Sequence, residues 1–189
     1  MEKIVNKEEN MKKFILVIIT LLLVVGCDSV MNNPTKRVET FLNKYQIMDE
    51  EVLSQLDDTL NNDNTLNDNQ KNEYRDLMKK QYQNLTYTIK EEEVDGNNAT
   101  VKVEIEVYDF NKAMMEADDY LVENQDEFLD DEGNVDNEKF MDYKIEQMKN
   151  TNDKVKYTIE FTLTKEDNSW KLDDVDEATR QKIHGIYNY

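Results

Sequence analysis

Apolar residues recur along this chain with two different periods, and the switches between them outline its architecture. Val38, Phe41, Leu42 and Tyr45 stand at i, i+3, i+4 and i+7, which places them on one face of a helix, with Pro34 acceptable in its first turn. Asp49 reads as the N-cap of a second helix, because Glu50 and Glu51 follow where negative charge is favourable, and Val52, Leu53, Leu56 and Leu60 form its apolar stripe. Asn61 to Asn69, NNDNTLNDN, reads as a loop. A third helix carries Tyr74, Leu77, Met78, Gln81, Tyr82 and Leu85 on one side.

Beyond Leu85 the period shortens to two. Tyr87 and Ile89 begin a strand, Asp95-Gly96-Asn97-Asn98 predicts a turn, and from Ala99 onward Val101, Val103, Ile105 and Val107 alternate with Lys102, Glu104 and Glu106. Such alternation predicts a hairpin with one face buried and the other in water. From Asn111 to Asn150 the pattern turns helical again, in two pieces broken near Asp130-Asp131-Glu132-Gly133-Asn134. Met114, Met115, Tyr120, Leu121 and Phe128 are the apolar positions of the first piece, and Phe140, Met141, Ile145 and Met148 those of the second. Val155, Tyr157, Ile159, Phe161 and Leu163 then alternate, and Glu166-Asp167-Asn168 turns the chain into a short partner strand, Ser169-Trp170-Lys171-Leu172. Asp176 to Tyr187 reads as a terminal helix. The expected fold is α+β, one domain over residues 34–189, with helices on one face of an antiparallel sheet and a helical insertion between two hairpins.

The N-terminal segment has another character. Lys12 and Lys13 precede twelve uncharged residues, Phe14 to Val25, of which only Thr20 is polar. A bilayer-spanning helix needs about 20 apolar residues, so this run suits the core of a secretory signal, residues 1–26, with the lysines as its charged start. Val24-Val25-Gly26-Cys27 resembles a bacterial lipobox. That resemblance implies cleavage between Gly26 and Cys27 and a diacylglyceryl group on the Cys27 sulfur, with residues 27–33 as a polar tether. The competing reading is an ordinary signal peptide followed by an incidental cysteine. Cys27 is the chain's one thiol and stands where a lipobox requires it, which favours lipidation.

Charge narrows the classes of partner. The first 26 residues hold four lysines and three acids, so the remaining 163 carry 19 basic and 39 acidic residues, net −20. That balance argues against nucleic acid, whose binding rests on basic side chains neutralising phosphates, and against adhesion to anionic headgroups. A lipid must then hold the protein at the membrane, and the two chains of a diacylglyceryl group meet the requirement for stable anchoring. With one cysteine there is no intramolecular disulfide, so stability must come from a packed core.

The order of elements, the alternating strand after an Asp-Gly turn and the closing Asp167-Asn168-Ser169-Trp170-Lys171-Leu172 resemble the NTF2-like fold, and among its members small lipoproteins of low-GC Gram-positive bacteria. The resemblance covers roughly Pro34 to Leu172 and implies a curved sheet wrapped around a long helix, as a cone with an apolar interior. About forty helical residues between the hairpins depart from the family pattern. Tyr87, Tyr108, Tyr157, Phe161 and Trp170 would line the cone if it is open, or fill the core beneath the first helix if it is not. Pairing of two copies through the open sheet face also stays open.

Catalytic and metal signals are sparse. The single histidine, His184, is expected near an exposed C-terminus, and one imidazole without a cysteine cannot build a zinc site. In Asp130 to Glu138, DDEGNVDNE, placing Gly133 sixth in a calcium loop puts Phe128 first and Lys139 twelfth, so the motif fails at both ends. Phosphate loops, dinucleotide-binding glycine patterns and nucleophile elbows are missing. No cofactor is implied. The expectation is a lipid-anchored, extracytoplasmic binding module and not an enzyme, taking a small apolar ligand or an envelope protein. The alternative is a hydrolase with carboxylates in the cone.

Overall fold

The computed structural model describes residues 33–188. Gly26, Cys27, the apolar leader, most of the tether and Tyr189 lie outside the described residues. The chain runs α1 (Pro34–Gln46), α2 (Glu50–Asn62), α3 (Asp68–Asn84), β1 (Thr86–Asp95), β2 (Asn98–Tyr108), α4 (Phe110–Glu123), a 3-10 turn (Gln125–Phe128), α5 (Asn137–Asn150), β3 (Lys154–Glu166), β4 (Ser169–Leu172) and α6 (Glu177–His184). The α+β class and the helical segment between the two hairpins agree with the sequence pattern.

The asparagines and aspartates that crowd the sequence open all six α-helices of the described residues. Asn33 accepts the Lys36 amide at 3.0 Å, Asp49 that of Glu51 at 3.1 Å, and Asp109 that of Lys112 at 3.0 Å. Asp136 accepts the Lys139 amide at 3.0 Å and Asp176 that of Thr179 at 2.8 Å. Asn67 and Gln70 form a reciprocal capping box at α3. Each cap satisfies an amide that the helix itself leaves unpaired, worth about 1 kcal/mol.

The four strands form one open antiparallel sheet in the order β1-β2-β3-β4. Gly96, with φ of 59°, turns the first hairpin, while Asp167 and Asn168 at 48° and 62° supply the two left-handed positions of the second. In the central pair Val101 faces Phe161, Val103 faces Ile159 and Ile105 faces Tyr157, and these six are buried. The other face is solvated and laced by charge. Lys102 lies 3.4 Å from Glu91 and 3.3 Å from Glu160, and Glu104 lies 3.2 Å from Lys90 and 3.4 Å from Lys156. Beside those two lysines the Glu104 carboxyl is held below its ordinary pKa.

Helices α1, α3 and α6 cover the apolar face. Phe41 of α1 meets Phe161 edge-on at 5.7 Å and Tyr45 at 5.5 Å, while Val38 and Leu42 are fully buried. The space beneath the first helix is therefore packed. The insertion folds on itself as α4 against α5, around a ring cluster in which Tyr120 stacks on Tyr143 at 5.1 Å and Phe128 meets Phe140 at 5.3 Å. Its first piece departs from expectation. Phe110, Asn111, Ala113 and Ala117 are the residues α4 buries, and Met115 is 52% exposed. Two of these are alanines, whose small side chains give only a weak hydrophobic signal in the sequence.

Candidate functional site

A cavity of about 500 Å³, half enclosed, lies among the helices and away from the sheet. Helical spacing builds each wall. From α2 come Val52, Gln55, Leu56, Thr59 and Leu60; from α3, Tyr74, Met78 and Tyr82, four residues apart; from α6, Glu177, Arg180 and His184. Tyr45, at the end of α1, and Ile186 complete it. Val52, Leu56, Leu60, Met78 and Tyr82 are buried and make an apolar floor, while Gln55, Thr59, Glu177 and Arg180 are exposed at the rim.

His184 is not on an open C-terminus, as its position in the chain suggests. It is partly buried against α3, with Nε2 3.2 Å from the Tyr82 hydroxyl and its ring 5.7 Å from the Tyr82 ring. Burial lowers its pKa to about 4, so the imidazole is neutral at pH 7 and accepts or donates a hydrogen bond without carrying charge. Burial also raises Tyr82, Tyr45 and Tyr74 above the ordinary phenol value, so all three hydroxyls stay protonated. Tyr82 spends its hydroxyl on His184; among the described residues, those of Tyr45 and Tyr74 make no hydrogen bond. The pair of Tyr82 and His184 is therefore a weak base beside a very weak acid, a poor combination for proton transfer near neutrality.

A buried amide fixes His184 in place. The Gln81 side chain, fully buried, donates from Nε2 to the carbonyl oxygens of Tyr108 and His184, each at 3.0 Å, and accepts the Tyr108 amide at 2.9 Å. Gly185 ends α6 at φ of 73°, with its amide on the Lys182 carbonyl at 3.1 Å and the Ile186 amide on that of Gln181 at 3.0 Å.

None of the five aromatics singled out from the sequence lines this cavity. Tyr157, Phe161 and Trp170 are buried in the core. Tyr108 is partly buried, stacked on Phe110 at 6.1 Å with Lys80 and Lys154 over its ring, and Tyr87 is partly buried on β1. The tyrosines that do converge, Tyr45, Tyr74 and Tyr82, read in the sequence as ordinary members of helix stripes. Their one signal was a hydroxyl on a largely apolar face. In the acidic turn at Asp130 the carboxylate accepts the amides of Glu132 and Asn134, at 2.9 and 2.8 Å. Among the described residues no group of three or more histidines, cysteines or acids is placed to hold a metal ion, and no helix is long and apolar enough to cross a membrane.

Comparison of the chain with protein-family models, with curated proteins and with solved structures finds no match.

Proposed function

We propose that this protein is a lipid-anchored, extracytoplasmic binding module of the NTF2-like type, which holds a small, largely apolar ligand in the cavity between α2, α3 and α6. One observation carries the binding reading: a half-enclosed space of about 500 Å³ with an apolar floor and two tyrosine hydroxyls that have no partner among the described residues. Ligand sites commonly measure about 300–1,000 Å³, with a few placed polar groups in a mostly apolar wall. The ligand space assigned here differs from that of an open cone, since Phe41 and Phe161 fill the region under α1. The hydrolase alternative needs two inward carboxylates, whereas Glu177 is the one acid on this lining and stands at the rim.

The anchor reading rests on Val24-Val25-Gly26-Cys27. Metabolic labelling with a tagged fatty acid is expected to mark the wild type and to leave Cys27→Ala unmarked; equal labelling of both rejects the anchor. Replacing Thr59 at the rim by tryptophan tests the binding half separately. The bulky ring should block the mouth and abolish ligand-induced stabilisation, and a ligand that binds both forms equally places its site elsewhere.

A further inference from the structure

The cavity's hydrogen-bonding groups are unequal in kind, and this inequality points to the chemistry of its occupant. Resting on the reading of this cavity as the binding site, we propose that its ligand is a single-tailed amphipathic anion, with the tail on Val52, Leu56, Leu60 and Met78 and the anionic oxygens on Arg180 and Tyr45. The unpaired hydroxyls of the lining and its one guanidinium are donors, set against a single carboxylate, that of Glu177. The Tyr45 and Tyr74 hydroxyls are protonated and unpaired among the described residues, and the Arg180 guanidinium adds charged donors.

Arg180 is only loosely committed elsewhere. Its Nη1 lies 3.7 Å from the Glu177 carboxylate, beyond hydrogen-bond distance, and both side chains are exposed. Arg75, by contrast, holds Asp57 at 2.5 Å. The charge of Arg180 reaches the Tyr45 hydroxyl, whose pKa it lowers against the larger effect of burial. His184 is neutral and contributes no charge of its own. Arg180 therefore sets a positive charge near the Tyr45 end of the cavity, in a chain of net charge −19, while Glu177 has the larger effect at His184. Three tyrosine rings and the Glu177 carboxylate would suit a cation; the two unpaired hydroxyl donors and Arg180 favour an anion.

The test compares two probes of equal tail length, decanoate and decyltrimethylammonium, on the full-length protein in phosphatidylcholine nanodiscs. Empty nanodiscs fix the free concentration of each probe. The readout is the NMR signal of the Met78 methyl group, the one methionine on the cavity lining. Decanoate should shift that signal saturably. Arg180→Gln should weaken the binding about tenfold, as expected for losing a charged hydrogen bond, and Arg180→Lys should restore part of it. Two outcomes overturn the proposal while leaving a binding cavity in place: decyltrimethylammonium binding as tightly as decanoate, or Arg180→Gln binding decanoate unchanged. If neither probe moves Met78 in the wild type, the proposal falls and the cavity loses its role as an amphiphile site.

Discussion

The Gln81 side chain is bonded to the Tyr108 backbone at both of its ends, as a neighbouring strand would be: Nε2 donates to the carbonyl at 3.0 Å and Oε1 accepts the amide at 2.9 Å. Its second amide hydrogen goes to the His184 carbonyl, also at 3.0 Å. One side chain thus joins α3, the end of β2 and the end of α6, and every polar atom it carries is satisfied.

Gln81→Leu keeps the approximate volume and removes all three bonds. The Tyr108 amide and two carbonyls would be left without partners at a buried site, at about 1–3 kcal/mol each when unsatisfied. A loss of about 3 kcal/mol or more is expected from urea unfolding. A loss below about 1 kcal/mol would mean that water replaces the amide and that the tie between helices is dispensable.

Gly185 depends on the same junction. A Cβ there would stand 2.2 Å from Gln81 Nε2 and 2.2 Å from the Tyr108 carbonyl oxygen, at a left-handed φ of 73°. Gly96 has a similar φ of 59° with nothing within 4 Å. Gly96→Ala should cost only the backbone strain, about 1–2 kcal/mol, whereas Gly185→Ala should cost clearly more and displace α6. The checks are the two urea midpoints and the NMR signal of the His184 ring, which should move only in the second variant.

The strands were legible because β2 and β3 alternate without a fault from Ala99 to Val107 and from Tyr157 to Leu163. The start of α2 was legible because Asp49 caps it, whereas Asn67 and Asp68, which open α3, read as part of an asparagine- and aspartate-rich loop. The cavity was not, for a reason of distance: Tyr82 and His184 are 102 positions apart, and what a hydroxyl in a helix stripe faces depends on what packs there. The turn that ends α6 and the Gln81 bonds decide that, and neither has a periodic signature. Similarly, α4 buries Ala113 and Ala117 and leaves Met115 exposed, and side-chain size alone points to the opposite choice.

Phe161 and Thr59 separate folding from binding. Phe161 is 3% exposed and packs edge-on against Phe41, so Phe161→Ala should cost about 3–5 kcal/mol. Because it lies outside the cavity, binding by the fraction still folded should be unchanged. Thr59→Trp, at an exposed rim position, should alter stability by less than about 0.5 kcal/mol and still abolish binding. Calorimetric titration of both variants, beside their thermal unfolding, reads the two effects independently. Reversed outcomes would return the ligand to the space between sheet and first helix.

His184 sets a pH dependence whose sign follows from its burial. Its pKa falls from 6.5 to about 4 in the folded protein, so between those values the unfolded chain binds the proton more readily. Stability from the neutral imidazole is fully present above about pH 6.5 and is lost as pH falls toward 4. The difference amounts to at most about 3 kcal/mol, at 1.36 kcal/mol per pKa unit. Carboxylates titrate in the lower part of this window as well, so the contribution of the histidine is the difference between wild type and His184→Phe. The expected result is a steeper fall for wild type, by up to one proton, centred between pH 4 and 6.5. NMR should also find the ring neutral at pH 6, with the Tyr82 hydroxyl as its partner. Parallel stability curves for the two proteins would show that the imidazole is hydrated, and the site would then be wetter than the cavity walls imply.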